Sequence, residues 1–262
     1  MKVMTLNVLM GGENRFDAIC AILAAARPDV VVLQECVGWD DRGRLAAVAR
    51  AIGVPADDRH TLLGSANARP SGRRYHLGLV SRMPIAAGRG HAPDCVHHCI
   101  IEARLDGDRG LGPLVILGAH LHANDEDSRL GEVEELLRIA PPEAVRAGAY
   151  VLCGDLNSLT RQDPYPPELD EQLARAGMHK YGHPPRFEVM DRLLAAGWID
   201  ALHERPRSER WVTARRQRGV GTVDTRTDYV LISPPLMPRL VVADVIDVGQ
   251  ASDHQGVVAE LA

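Results

Sequence analysis

The chain has 262 residues, a net charge of −5, 45% hydrophobic and 25% charged residues. Those proportions suit a globular protein with a large core, and no apolar run approaches the ~18–20 residues that span a bilayer. The acidic balance, with a pI near 6.1, supplies no global field that would draw the protein to a polyanion.

A first strand is expected near Lys2–Leu9. A helix follows near Arg15–Ala26, where Phe16, Ile19, Cys20 and Leu23 recur at helical spacing, and Pro28 stops it. A continuous apolar strand over Asp29–Gln34 ends at Glu35, and Leu45–Ile52 reads as a second helix. Strands are expected near Leu77–Ser81, near His98–Leu105 and over Leu114–Leu121, the last carrying His120 and followed by His122. Glu126–Ile139 reads as a helix that Pro141 and Pro142 terminate.

The apolar run Tyr150–Cys153 reads as a buried strand leading into Gly154-Asp155-Leu156-Asn157. Residues two apart in a strand point the same way, so Asp155 and Asn157 are expected to enter one site together. After a long polar loop come a helix over Glu188–Ala196, with Gly197 as its C-cap, and strands near Trp211–Thr213, Thr227–Ile232, Leu240–Val245 and Gly256–Leu261. With no repeat and no low-complexity linker, strands interleaved with helices predict one layered α/β domain over 1–262, built on two packed sheets.

Five cysteines at irregular spacing suit reduced thiols rather than a disulfide framework. The N-terminal segment lacks the apolar stretch and cleavage site of a signal peptide. A cytoplasmic protein is therefore expected. Cys95 and Cys99 flank His97 and His98, but no second ligand pair stands at zinc spacing. Alternation through Val96, His98 and Ile100 reads instead as strand packing. Lys2 and Lys180 are the only lysines, so arginine carries the cationic charge. Guanidinium suits phosphate recognition, while codon bias in a GC-rich genome accounts for most of these positions.

Polar groups collect at the strand ends: Asn7, Glu35, His120, Asp155, Asn157, Asp228, and Asp253 with His254. Asn7 and His120 interrupt apolar runs, where an unsatisfied polar group is costly. Carboxylates with a carboxamide oxygen are hard ligands, suited to Mg²⁺ or Mn²⁺ rather than zinc. A histidine paired with an aspartate can donate to a phosphate oxygen, and an asparagine beside an aspartate can orient water. Together they describe metal-assisted phosphoryl hydrolysis.

Met4-Thr5-Leu6-Asn7, Leu33-Gln34-Glu35, Gly118-Ala119-His120-Leu121, Gly154-Asp155-Leu156-Asn157, Thr227-Asp228-Tyr229 and Ser252-Asp253-His254 stand in this order from residue 4 to residue 254. The set resembles the endonuclease/exonuclease/phosphatase superfamily, the deoxyribonuclease I-like phosphoesterases. The resemblance implies a four-layer αββα sandwich, two mostly antiparallel sheets flanked by helices. It implies Glu35 as main Mg²⁺ ligand, with Mn²⁺ as a substitute, assisted by Asn7 and Asp253. It implies that Asp155 activates water and Asn157 holds water and phosphate. His254, oriented by Asp228, would contact the phosphoryl oxygen, with His120 as a second phosphate-facing histidine. Secreted deoxyribonucleases of this group pair their first histidine with a mid-chain glutamate. The segment Ala66–Leu79 contains no acid, so the resemblance does not carry over their two-histidine mechanism.

The motifs fix the chemistry but not the leaving group. His120–Asp125 is similar to the corresponding block of neutral sphingomyelinases, but no apolar aromatic hairpin accompanies it, and no membrane role is expected. Arg215 and Arg216, within the arginine-rich segment Arg205–Arg218, are candidate substrate contacts, and Arg69, Arg73 and Arg74 a candidate second wall. Their alternative is a solvated loop with Glu204 and Glu209 as partners. No extended basic arm is present, and stacking aromatics are scarce. The reading is a phosphatase or phosphodiesterase acting on a small phosphorylated molecule, without an obligate protein partner. A DNA or RNA nuclease is the alternative, and a catalytically dead phosphate-binding module a further one.

Overall fold

A computed structural model describes residues 1–106, 112–218 and 221–262, with the backbone alone described at 215–218 and 221–222. The strands in chain order are β1 (Lys2–Asn7), β2 (Val30–Cys36), β3 (Thr61–Gly64), β4 (His76–Ser81), β5 (Ile85–His91), β6 (Ile100–Leu105), β7 (Leu114–His120), β8 (Ala149–Asp155), β9 (Ile199–Asp200), β10 (Ala214–Arg218), β11 (Gly221–Thr225), β12 (Asp228–Ile232), β13 (Leu240–Ile246) and β14 (Gly256–Leu261). The helices are α1 (Phe16–Ala26), α2 (Gly43–Ala51), α3 (Glu126–Ile139), α4 (Pro142–Ala147), α5 (Leu169–Arg175), α6 (Glu188–Ala195) and α7 (Ala201–Glu204).

One six-stranded sheet has the order β13-β14-β1-β2-β4-β3, the other β5-β6-β7-β8-β12-β9, and β10 and β11 form a separate hairpin. β1 runs parallel to β2 and β7 parallel to β8, while the remaining neighbours are antiparallel. Parallel neighbours need a crossover. α1 supplies it between β1 and β2, and α3 with α4 supplies it between β7 and β8.

Three apolar layers make the sandwich. Val3, Val30, Val32, Ile101, Val151 and Val230 fill the space between the sheets. Met4, Leu6, Val31 and Leu33 face outward and pack on Ile19, Leu23, Leu45 and Val48 of α1 and α2. Leu117 and Leu152 likewise pack on Val133, Leu136 and Leu193 of α3 and α6. A central strand buried on both faces must be apolar at successive positions, which is why β1, β2 and β8 read as unbroken runs rather than alternating ones.

Local signals account for the element ends. Asp125 caps α3 by accepting the Ser128 N–H at 2.7 Å, with Glu126 and Asp127 in the first turn. Pro142 ends that helix and opens α4, where a missing N–H costs nothing. The strand expected at Trp211–Thr213 is instead extended chain leading into β10; Trp211 packs edge-on against Tyr165 at 5.2 Å. The strand expected from His98 begins at Ile100. Among the described residues no helix is long and apolar enough to cross a membrane.

Candidate active site

The C-terminal ends of the two parallel pairs meet, which brings Asn7, Glu35, His120 and Asp155 together from four strands. Asn7 is fully buried. Its amide nitrogen donates to Glu35 Oε1 and to Asp155 Oδ2, both at 3.2 Å, and its oxygen accepts the Leu9 N–H at 3.0 Å. The amide therefore bridges two carboxylates that would otherwise repel. Glu35 Oε2 accepts the Met10 N–H at 3.0 Å. Glu35 takes φ 58° where the pairing of β2 with β4 shifts register. Such a bulge re-aims a side chain, and here it turns the carboxylate to the sheet edge.

Gly154 sits at φ 154°, and a Cβ there would lie 1.8 Å from the Ala119 carbonyl oxygen. Only glycine lets β8 approach β7 this closely just before Asp155. The strand then ends, and Asn157 turns with φ 53°. Asp155 and Asn157 thus enter one site, but around a turn and not along a shared strand face. The Asn157 N–H donates to Asp155 Oδ1 at 3.0 Å, its amide nitrogen donates to the Leu121 carbonyl at 3.0 Å, and its amide oxygen accepts from Lys180 Nζ at 2.7 Å.

β12 pairs with β8 so that Asp228 lies opposite Asp155. Both are buried. His254 lies between them, with Nδ1 2.8 Å from Asp228 Oδ2 and Nε2 3.7 Å from Asp155 Oδ2. Burial opposes a charge on His254, yet Asp228 and Asp155 outweigh it and push the imidazole up to about 9. Asp155, Asp228 and His254 lie close enough to enclose a cation, but a protonated imidazole bonded to Asp228 and facing Asp155 is itself the cation there. Ser252 Oγ donates to the Asn7 carbonyl at 2.6 Å and accepts the His254 N–H at 3.2 Å, fixing this loop to β1. Thr213 Oγ1 accepts the Thr227 and Asp228 N–H groups at 3.0 and 3.1 Å.

His120 Nε2 lies 3.6 Å from Asp155 Oδ2, and its ring stacks on His98 at 4.1 Å with a 4° interplanar angle. Burial holds His120 below the usual histidine range, Asp155 opposing. Asp253 is 36% exposed, with Oδ1 4.0 Å from His254 Nε2.

Glu35, His120, Asp155 and Asn157 floor a cleft of about 410 Å³, with Asn7, Asp228 and His254 buried around them. Arg69, Tyr75, His98, Asn124, His179 and Lys180 also line it. Arg73 and Arg74 are exposed and do not line it. Their backbone closes the loop that holds Arg69, through an Arg69 N–H to Arg73 carbonyl bond of 2.9 Å. The side chains of Arg215 and Arg216 lie outside the described residues; their strand begins at Ala214, which bridges to His254. Lys180 gave a faint sequence signal as one of two lysines among many arginines, and His98 was assigned only to packing.

The donor types fit a hard divalent cation: Glu35 offers carboxylate oxygens at the cleft, and the Asp253 carboxylate is accessible close to His254. As oriented, the Asn7 amide turns its nitrogen, not its oxygen, toward the Glu35 and Asp155 carboxylates.

The fold is shared by proteins of low sequence identity. An AP endonuclease from Archaeoglobus fulgidus superposes with a TM-score of 0.70 at 17% identity, covering 100% of this chain and 99% of its own. The 3' phosphatase NExo from Neisseria, bound to a product DNA hairpin, gives 0.69 at 23%, covering 100% and 99%. TDP2 from D. rerio, complexed with a single-strand DNA product, gives 0.67 at 16%, covering 100% and 98%. No curated protein matches the sequence. The sequence pattern described as the Endonuclease/Exonuclease/phosphatase family matches residues 4–254, a span that begins just before Asn7 and closes on His254. The chain belongs to that family and is a hydrolase of phosphoester bonds.

Proposed function

We propose that the protein is a Mg²⁺-dependent phosphatase, or a phosphodiesterase, acting on a small phosphorylated molecule. The observation that carries the chemistry is the polar chain Asp228–His254–Asp155–Asn7–Glu35, which reaches the cleft at Asp155 and Glu35. In this reading Asp155 takes a proton from a water that Asn157 helps to hold. The water oxygen forms the new bond to phosphorus, and the ester oxygen leaves in line and takes up a proton. His254, kept protonated between Asp228 and Asp155, donates to a phosphoryl oxygen as negative charge grows there. Glu35 and Asp253 would hold the metal ion, which when bound polarises the phosphoryl group. One domain spanning 1–262 suffices for this chemistry, and five free cysteines suit a cytoplasmic location.

The cleft supports a small substrate. Its volume matches a compact ligand, and among the described residues Tyr75 is its one tyrosine, tryptophan or phenylalanine. Trp211 is engaged by Tyr165. The DNA-bound relatives in fold make a DNA end the alternative. It is favoured by the β10–β11 hairpin, whose arginine-rich strand starts beside His254. Phosphate release from sugar and nucleoside monophosphates, compared with a 3'-phosphorylated DNA hairpin, separates the readings. The small esters are expected to give the higher kcat/KM. A tenfold preference for the hairpin would move the substrate to nucleic acid.

A further inference from the structure

We infer that the cleft holds a second anion subsite at Arg69, so that the substrate carries a further phosphate or carboxylate beside the scissile phosphate. The inference rests on the small-ester reading above and specifies it. Arg69 has no carboxylate within ion-pair distance among the described residues, although most buried and half-buried arginines here have one. Arg129 pairs with Glu126, Arg226 with Asp163 and Asp200, and Arg186 with Asp127 and Glu188.

The guanidinium is held by neutral groups. Nη1 donates to His97 Nδ1 at 2.6 Å, and the guanidinium carbon lies 5.6 Å from the Tyr75 ring centre. An acceptor at Nδ1 means that His97 is neutral, and burial with the adjacent Arg69 charge pushes its imidazole down to about 4. His97 is fixed in turn, its N–H donating to Glu132 Oε1 at 2.6 Å. Arg69 is therefore a positioned cation, half-buried, with its other donors open to the cleft. An unpaired, pre-oriented guanidinium fork on the wall of a phosphoester cleft is a site for an anion.

Its position sets the class of ligand. Lys180 is tied to Asn157 and so stands at the scissile phosphate. Arg69 stands farther along the cleft, separated from His120 by ring contacts of 4.1 Å to His98 and 4.8 Å from His98 to His97. That separation suits two phosphates carried across one sugar or nucleoside.

The test is calorimetric binding to the inactive Asp155→Asn protein with Mg²⁺, using thymidine 3'-phosphate and thymidine 3',5'-bisphosphate. The bisphosphate is expected to bind about tenfold more tightly, equivalent to ~1.4 kcal/mol. Arg69→Gln should remove most of that ratio and Arg69→Lys should keep part of it, each with a melting temperature near that of the parent. Equal affinities, or a ratio that survives Arg69→Gln, would overturn the subsite. A dinucleotide 3'-phosphate that depends on Arg69 more than the bisphosphate does would overturn the small ligand in favour of a strand. Failure of the functional reading shows separately, as wild-type protein that releases phosphate from neither nucleotide.

Discussion

His254 Nδ1 meets Asp228 Oδ2 at 2.8 Å, both groups buried and joined across 26 residues of chain. The aspartate fixes the ring and supplies the charge that keeps it protonated. Asp228→Asn preserves the shape and removes the charge. We expect kcat to fall by about 10²–10⁴-fold, the range for losing a positioned proton donor, with a smaller change in KM. Steady-state kinetics beside a thermal melt checks this. A rate within threefold of wild type would mean that His254 needs no partner.

Glu35→Gln keeps the volume but removes a negative ligand beside Asp155. The Mg²⁺ concentration for half-maximal rate should rise about tenfold or more, with activity partly recovered at high Mg²⁺. A metal titration reads it directly. An unchanged curve would remove Glu35 from the metal site.

Arg129 of α3 ties together two segments that border the cleft. It is buried, pairs with Glu126 and donates to the carbonyls of His122 at 2.9 Å and Lys180 at 2.5 Å. Arg129→Met leaves Glu126 unpaired and those carbonyls without their donor. Removing one partner of a buried pair costs roughly 3–5 kcal/mol, measurable as a lower urea midpoint. KM should also rise as the Lys180 segment loosens. A loss under 1 kcal/mol would show that these segments are held by other contacts.

His97 and His98 should work against the fold in acid before ordinary carboxylates titrate, with His254, held up at about 9, acting in the opposite sense. Burial lowers His98 well below the usual histidine range and His97 to about 4. The unfolded chain thus takes up protons near pH 6.5 that the folded chain refuses. The contribution is complete above pH 6.5 and is lost as pH falls toward 4. Between pH 7.5 and pH 5 the melting temperature of wild type should fall relative to that of His97→Gln. Equal changes in both would locate the acid sensitivity elsewhere.

The double-faced core made β1, β2, β7 and β8 legible, because continuous apolar runs can only be buried strands or helices and these are short. The α3 ends were legible from Asp125 and Pro142, which act within one turn. β5 was not: it is an exposed edge strand, Ile85–His91, with alanine and glycine where a pattern would stand. β3 has only four residues. Asn7, Glu35, Asp155 and Asp228 were legible because each is a polar group at an apolar strand end, and His254 because it closes the Ser252-Asp253-His254 block. Arg69, Tyr75 and Lys180 come from loops, where a polar residue is the norm and only the folded chain shows which ones converge. Thr213 was hidden for another reason: its role is a hydroxyl accepting two N–H groups across the site.

In the proposed mechanism Asp155 activates water for attack on phosphorus in a small phosphoester. The most direct measurement is Mg²⁺-dependent hydrolysis of 4-nitrophenyl phosphate and bis(4-nitrophenyl) phosphate by wild-type protein, with Asp155→Asn as the blank. The expected result is turnover of the monoester in preference to the diester, abolished by EDTA and by the substitution, with the mutant still folded. A clear diester preference would select the phosphodiesterase over the phosphatase, and comparable rates in the Asp155→Asn protein would contradict the role of Asp155.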